Sequence, residues 1–279
     1  PRLVRDPPAV AAARYDLAVV GGGIHGLFAA YDAASRGLSV ALVERGDFGS
    51  GLSANHQRTI HGGLRALESG RFGKTRRQIA ERRTWARIAP HLIRPLPFLV
   101  GTYRFSKRSR LAIRAGFRLY DWLGRSRNAG VVPELHLPRT RLESAATTKR
   151  LFPGVREEGL TGGAVWYDYQ MVHPDRLVWV VALAAARSGA RLLNYAEVTA
   201  LAKDGARVTG VRVKDRLTGE MFDVEAAVTL VAAGAGLRAI VADAGGPPAP
   251  SLVRAMNLLV DRPARDIAVA ARGPSGRML

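Results

Sequence analysis

The sequence predicts an α/β fold: a parallel sheet flanked by helices and extended by a crossing β-hairpin, with an inserted α+β domain. Three observations carry that expectation. A strand, a glycine turn, a helix and a second strand follow one another between Asp16 and Glu44 (DLAVVGGGIHGLFAAYDAASRGLSVALVE). Alternating α/β patterning returns from Pro174 onward. Between the two, basic helices and a lone strand break the alternation.

The opening unit is the most specific. Leu17, Val19 and Val20 form the apolar run of a buried parallel strand, and Gly21, Gly23 and Gly26 place GxGxxG at its exit. The first glycine permits a tight turn, the second lets backbone approach a phosphate, and the third lets helix Leu27–Ser35 pack closely on the sheet. Arg36-Gly37 ends that helix, Leu38–Val43 makes a second strand, and Glu44 closes it. Such a unit seats a dinucleotide pyrophosphate on the positive helix N-terminus, while the acid accepts the hydroxyls of an adenosine ribose. An acid here disfavours a 2′-phosphate, which leaves FAD and NAD open.

The segment after Glu44 (RGDFGSGLSANHQRTIHGGLRALESGRFG) is dense in glycine and small polar residues, as suits a loop and short helix holding the cofactor's far end. Lys74–Ala89 reads as a basic helix stopped by Pro90, Pro95–Arg104 as a strand, and Ser106–Leu123 as a second basic helix. Leu111, Ala115, Leu119 and Trp122 share one stripe of that helix, which is expected to face the chain's own core in preference to lipid. Arg125–Pro138 is an irregular connection. A helix then runs from Pro174 to Arg187, stopped by Ser188-Gly189, and Arg191–Val198 follows as a strand. Arg207–Lys214 and Met221–Glu225 flank the turn DRLTGE with Gly219 in it, and Ala226–Val231 leads into AAGAG. Ala244–Pro250 is a break, after which Met256–Val260 begins a new strand. Expected domains are 14–94 with 145–245 for the dinucleotide, and 95–144 with 246–279 for a partial substrate domain.

At 279 residues the chain can bury a sizeable core, and 47% apolar with 23% charged residues are ordinary globular values. Charge balance is not ordinary. Forty-two Lys+Arg against 23 Asp+Glu give +19, and 37 of the basic residues are Arg. Arg58–Arg118 holds sixteen Arg or Lys against Glu68 and Glu81, a net of +14, which suggests an anionic partner. Without cysteine there are no disulfides, thiolate metal sites or Cys nucleophile, and a reducing compartment fits. PRLVRDPPAVAAAR lacks the apolar core of a signal peptide. The longest apolar run, Leu177–Ala186, is well short of the ~20 residues that span a bilayer, so membrane contact is expected at a surface only. Neither basic helix interleaves aromatics as a base-stacking surface would, so no nucleic-acid partner is expected.

IHGGLR (Ile60–Arg65), GGGIHG, APHL (Ala89–Leu92), LFPG (Leu151–Gly154), the Asp175-Arg176-Leu177 helix start and DRLTGE resemble the FAD-dependent glycerol-3-phosphate dehydrogenases of the D-amino-acid-oxidase-like flavoproteins. The resemblance runs from Tyr15 to about Leu279. It implies a Rossmann-like domain with non-covalent FAD, oxidation of the secondary alcohol of glycerol 3-phosphate to dihydroxyacetone phosphate, and electrons passed to a quinone. It also implies a cytoplasmic chain, peripheral on the anionic inner face of the cell membrane; a homo-oligomer is left open. With the glycine fingerprint, it implies a cofactor set of Gly21, Gly23, Ile24, His25, Gly26, Glu44, Arg45, Ser50, Ser53, Asn55, His61, Gly62, Gly63, Val198, Ala232, Ala233 and Gly234.

Departures from the family pattern bear on the substrate. Leu52, Ala54, His56, Gln57, Arg58 and Thr59 stand in the usually Ser/Thr/Lys-rich loop, and Ala66 stands where Tyr usually follows IHGGLR. VAAGAG (Val231–Gly236) lacks the family's Asn, Pro and Trp. Family members continue for about as much sequence again, so a C-terminally truncated fragment is expected. The departures keep open another amine or hydroxy-acid flavin oxidase or dehydrogenase.

Hydride removal from an alcohol carbon needs an oriented acceptor, a base for the hydroxyl proton and a cationic clamp for the phosphate. His61 is the candidate base or ring contact, and equally a structural histidine orienting its loop. Arg65 is the candidate clamp, since a guanidinium fork offers charge-assisted bonds worth ~1.5–3 kcal/mol each. His25 and His56 are loop residues near the fingerprint, and His91, His136 and His173 show no metal-ligand spacing.

Overall fold

The computed structural model describes residues 3–104, 109–245, 251, 252, 256, 258, 261 and 266–271. The chain divides into two compact units, Pro1–Gln57 with His173–Asn257 and Arg58–Val172 with Leu258–Leu279. In chain order the first unit opens with α1 (Pro7–Ala11), β1 (Arg14–Val20), α2 (Ile24–Ser35) and β2 (Val40–Val43). The second holds β3 (Thr59–Ile60), α3 (Leu64–Glu68), α4 (Phe72–Ile88), β4 (Ile93–Tyr103), α5 (Arg110–Leu123), β5 (Arg141–Glu143), α6 (Ala145–Leu151) and β6 (Leu160–Met171). The chain returns to the first unit for α7 (Pro174–Arg187), β7 (Arg191–Leu193), β8 (Ala196–Asp204), β9 (Arg207–Asp215), β10 (Met221–Val231) and α8 (Leu237–Asp243). Finally β11 (Ala268–Ala270) belongs to the second.

The first unit's sheet has the order β7-β2-β1-β10-β9-β8, parallel from β7 to β10 and antiparallel from β10 to β8. β1 and β2 explain the parallel half. Ala18 to Val20 and Val40 to Val43 are buried without alternation, the pattern of strands covered on both faces. Helices α2 and α7 pack on each other, and Val10, Tyr15, Val20, Val43, Leu193, Val213 and Val224 join one apolar cluster.

Two local expectations change here. The runs Met221–Glu225 and Ala226–Val231 are one strand, β10, which pairs antiparallel with β9 over its first half and parallel with β1 over its second. Glu225 sits at the handover, opposite Gly210 on one side and Arg14 on the other. The strand expected over Arg191–Val198 is broken at Tyr195, whose φ of +51° turns the chain from β7 into β8. Tyr195 N–H donates to Gly46 O and Ala196 N–H to Glu44 O, which fixes the bend against the end of β2.

In the second unit β11, β4, β6 and β3 form a sheet in that order, with β5 also on β6. The sequence pattern predicts no element over β6, although AVWYDY is rich in strand formers. Its pairing with β4, β3 and β5 draws 58–94 and 145–172 into this unit. The boundaries therefore fall near 57 and 172, not at 94 and 144. β11 pairs only with Phe98–Val100, which leaves Pro95 and Pro97 where β4 has, among the described residues, no second neighbour to receive an N–H.

The stripe on α5 faces outward, against expectation. Leu111, Leu119 and Trp122 are 78%, 36% and 59% exposed, while Phe117 and Tyr120 on the opposite face are buried. Tyr120 sets this rotation, because its hydroxyl donates to Gly62 O at 3.0 Å. The strand expected over Met256–Val260 lies outside the described residues apart from Met256 and Leu258, as do Ser106 to Arg108 of the second basic helix and most of Ala244–Pro250.

Gly210 carries the handover on β10: a Cβ there would lie 2.1 Å from Val224 O. Gly210→Ala is expected to lower unfolding free energy by about 1–3 kcal/mol. Gly116→Ala, in α5 with open space at its Cβ position, should raise it by about 0.5–1 kcal/mol, both read from urea unfolding.

Candidate functional site

In the first unit, three backbone segments meet at the exit of β1. Gly21 has a φ of +109°, and its N–H donates to Val43 O at 2.8 Å. A Cβ on Gly21 would lie 2.7 Å from Ala232 O, and one on Gly26 would lie 1.9 Å from Gly21 O. Ala232 N–H donates to Val20 O at 2.8 Å, so the exit of β10 is locked beside that of β1. Gly23 caps α2 without a side-chain acceptor, and Ser53 Oγ accepts the Ile24 N–H at 2.9 Å. The other first-turn N–H groups have no partner within the helix, and they concentrate positive potential at its start.

Glu44 is fixed rather than freely solvated. Its Oε2 accepts the Gly22 N–H at 2.6 Å and its Oε1 the Gly46 N–H at 2.8 Å. Each oxygen retains acceptor capacity for a hydroxyl. Gly22, a variable position in the fingerprint, is constrained here as well. A Cβ on it would lie 2.7 Å from the Glu44 Cβ and 2.8 Å from a Phe48 ring carbon.

The second unit holds a different constellation, around the turn His61-Gly62-Gly63. Asp168 on β6 is 2% exposed. Its Oδ1 accepts from Gly62 N–H at 2.7 Å and from the Arg82 guanidinium at 2.5 Å, and its Oδ2 lies 3.1 Å from His61 Nδ1. Arg82, also 2% exposed, donates further to Tyr167 O and to Tyr120 Oη. Burial would pull the guanidinium's pKa down, but Tyr120 and Asp168 outweigh it and hold the pKa above its ordinary value. Burial pushes the Tyr120 hydroxyl up, so it stands as a neutral donor. Gly62 has no room for a side chain, since a Cβ would lie 2.1 Å from Arg82 Nη1 and 2.3 Å from Tyr120 Oη. Gly63, at φ +83°, starts α3 and passes its carbonyl to Thr75 Oγ1 at 3.3 Å.

A family model for FAD dependent oxidoreductases matches residues 16–276. The chain belongs to this family. A glycerol-3-phosphate dehydrogenase of Synechocystis is 38% identical over 82% of the chain, and one of Mycobacterium leprae is 41% identical over 79%. The chain spans 40% and 36% of the length of these two relatives. Among solved structures, the glycerol-3-phosphate dehydrogenase of Bacillus halodurans complexed with FAD superposes with a TM-score of 0.57. It is 26% identical, over 81% of this chain and 35% of that one. The resemblance drawn from IHGGLR and its companion motifs is borne out, and with it the α/β flavoprotein fold.

Membership makes FAD the dinucleotide, and the first unit fits it. Gly21 and Gly26 let the strand exits and the start of α2 approach to distances that any Cβ would block, the start of α2 offers N–H donors for the pyrophosphate, and Glu44 offers fixed acceptors for the ribose.

Of the expected cofactor residues, Gly21, Gly23, Ile24, Gly26, Glu44, Ser53 and Ala232 come together at this turn. Ala233 and Gly234 (φ +54°) follow directly in the short helical turn leaving β10. His25 is exposed on the first turn of α2. Arg45 is exposed and its carbonyl accepts from Arg216. Ser50 and Asn55 lie on the loop after β2, and Val198 packs on the apolar cluster from β8. His61, Gly62, Gly63 and Arg65 all belong to the second unit, with Arg65 exposed on α3. Asp168, Arg82, Tyr120 and Gly22 are functional positions that the sequence pattern does not mark. Only the invariably costly burial of an Arg and an Asp marks the first two, and burial is not written in a basic helix and an unassigned strand.

Gly26→Ala should weaken FAD binding by at least about tenfold, or ~1.4 kcal/mol. Glu44→Gln, whose amide would face an N–H it cannot accept, should weaken it by a similar factor. Flavin absorbance retained after gel filtration, with circular dichroism as the check on folding, measures both.

Proposed function

We propose that this chain supplies the FAD-binding unit and the histidine turn of a glycerol-3-phosphate dehydrogenase. Its likeness to proteins of that name across four fifths of its length carries the reading, supported by the FAD cradle described above. Bound FAD supplies the acceptor for the hydride that leaves C2 of glycerol 3-phosphate. The chain's own groups handle the rest. His61 takes the proton of the C2 hydroxyl as the carbonyl forms, and Arg65 holds the phosphate through a charge-assisted fork. The α2 N-terminus and Glu44 anchor the nucleotide.

Electrons then pass to a quinone, and the chain works peripherally on an anionic membrane face. The observation favouring that partner is α5. Leu111, Leu119 and Trp122 are exposed there beside exposed Arg110, Arg114 and Arg118, an apolar stripe bordered by cations. Among the described residues no helix is long and apolar enough to cross a membrane.

Two experiments decide these readings. Anaerobic glycerol 3-phosphate should bleach the flavin of the FAD-loaded protein, and His61→Gln should slow bleaching by about 10²–10⁴-fold. Bleaching by an amine or a 2-hydroxy acid in its place would transfer the assignment to another oxidase of the family. The protein should also co-sediment with phosphatidylglycerol vesicles and be released by high salt. Leu119→Ala with Trp122→Ala should weaken that binding by about tenfold or more, given ~1.5–3 kcal/mol per buried large apolar side chain.

A further inference from the structure

We propose that Asp168 is a positioning residue for His61, holding its imidazole proton on Nδ1 and so keeping Nε2 free to accept the substrate proton. The inference rests on the reading of His61 as the base. The geometry around Asp168 carries it. Its two carboxylate oxygens are divided: Oδ1 receives both the Gly62 N–H and the Arg82 guanidinium, and Oδ2 is directed to His61 Nδ1 at 3.1 Å. A carboxylate paired with a buried guanidinium is an acceptor only, so a neutral imidazole can complete this contact only by donating from Nδ1. The His61 side chain is 54% exposed while Asp168 is closed off from solvent, so the network ends on a reachable ring.

The surrounding groups keep Asp168 from turning. Arg82 is held from three sides, by Asp168, Tyr167 O and Tyr120 Oη. Tyr120 in turn donates to the carbonyl of Gly62, whose N–H is already bound by Asp168. The residue after His61 is therefore gripped at both its N–H and its C=O. This double fixing holds the backbone beside His61 in place, so that Asp168 Oδ2 meets the ring from a set position. A carboxylate placed this way selects a tautomer and an orientation without itself touching the substrate.

Asp168→Asn tests this, because the two donors on Oδ1 dictate how the new amide must sit. Its oxygen must stay with Gly62 N–H and Arg82, which turns the NH₂ toward His61. That group donates to Nδ1 and moves the imidazole proton to Nε2. The readout is the long-range ¹H–¹⁵N pattern of the full chain labelled with ¹⁵N-histidine, taken without flavin at a pH where the imidazole is neutral. His61→Gln identifies the signal. The wild type should show the Nδ1–H form and Asp168→Asn the Nε2–H form.

Removing the anion strands the Arg82 charge, so Asp168→Asn with Arg82→Met is the companion variant; Gly62 N–H still orients the amide in it, and the same switch is expected. In the FAD-loaded protein the switch should cut kcat by up to about 10⁴-fold, the scale seen when another carboxylate–histidine pair adopts the wrong tautomer, with KM changed by less than about twofold. An Nε2–H form in the wild type, or an Nδ1–H form surviving in both variants, overturns the proposal. The tautomer is read without substrate, so failure of glycerol 3-phosphate to bleach the flavin would remove the dehydrogenase assignment while leaving this result to stand or fall alone.

Discussion

The close approach of backbone to backbone at the exits of β1 and β10 is the constraint on which the first unit depends. Gly26 lies so near the carbonyl of Gly21 that α2 can start where it does only without a Cβ, and Gly21 meets Ala232 in the same way. With α2 drawn in, its positive end is aimed over the strand exits, and Glu44 at the end of β2 is near enough to bind the Gly22 N–H. The cofactor cradle is thus a by-product of packing. The glycines that let helix and strands touch also leave the donors uncovered for a diphosphate.

The second unit is organised by the opposite device, a buried charge pair. Taking Arg82 and Asp168 out of water costs several kcal/mol per ion, and a well-packed apolar pair would often be at least as stable. Retention of the pair therefore asks for a use beyond stability. Every hydrogen bond around it ends on the His61-Gly62 turn, on the strand that carries Asp168, or on Tyr120, which itself donates to Gly62 O. Apolar replacements would fill the volume, but they could not hold the N–H and C=O of Gly62 in register or present an acceptor to His61.

Legibility followed the range of the interactions. The β1–α2–β2 unit is specified by neighbours in sequence, so its glycines, its helix stop at Arg36-Gly37 and Glu44 could be read from the residues. The β9–β10 hairpin was legible through its turn, where Asp215 Oδ1 accepts the Leu217 N–H and Gly219 adopts φ +82°. β6 and the division into units were not, because each depends on which distant strand pairs with which. The rotation of α5 was illegible for a sharper reason. Either of its two apolar stripes could have faced inward, and a single hydroxyl-to-carbonyl bond from Tyr120 across a long sequence separation decided between them.

That rotation changes what the basic excess means. Within Arg58–Arg118 several cations serve the fold: Arg82 is buried, Arg83 donates to Ser126 O, Arg94 to Gln170, and Arg110 to Glu143 O and Thr161 O. Such groups are held in place whether or not an anion is near. Arg114 and Arg118 are exposed, and they stand next to the outward stripe of Leu111, Leu119 and Trp122. Screening confines their field to about 8–10 Å at physiological salt, so a remote surplus of charge elsewhere adds little to a surface contact. The proposed attraction to an anionic surface would then be a local property of one helix face, where cations and apolar groups act over the same few ångströms. The net charge of the whole chain is a poor guide to it, and the direction in which Trp122 points is a better one.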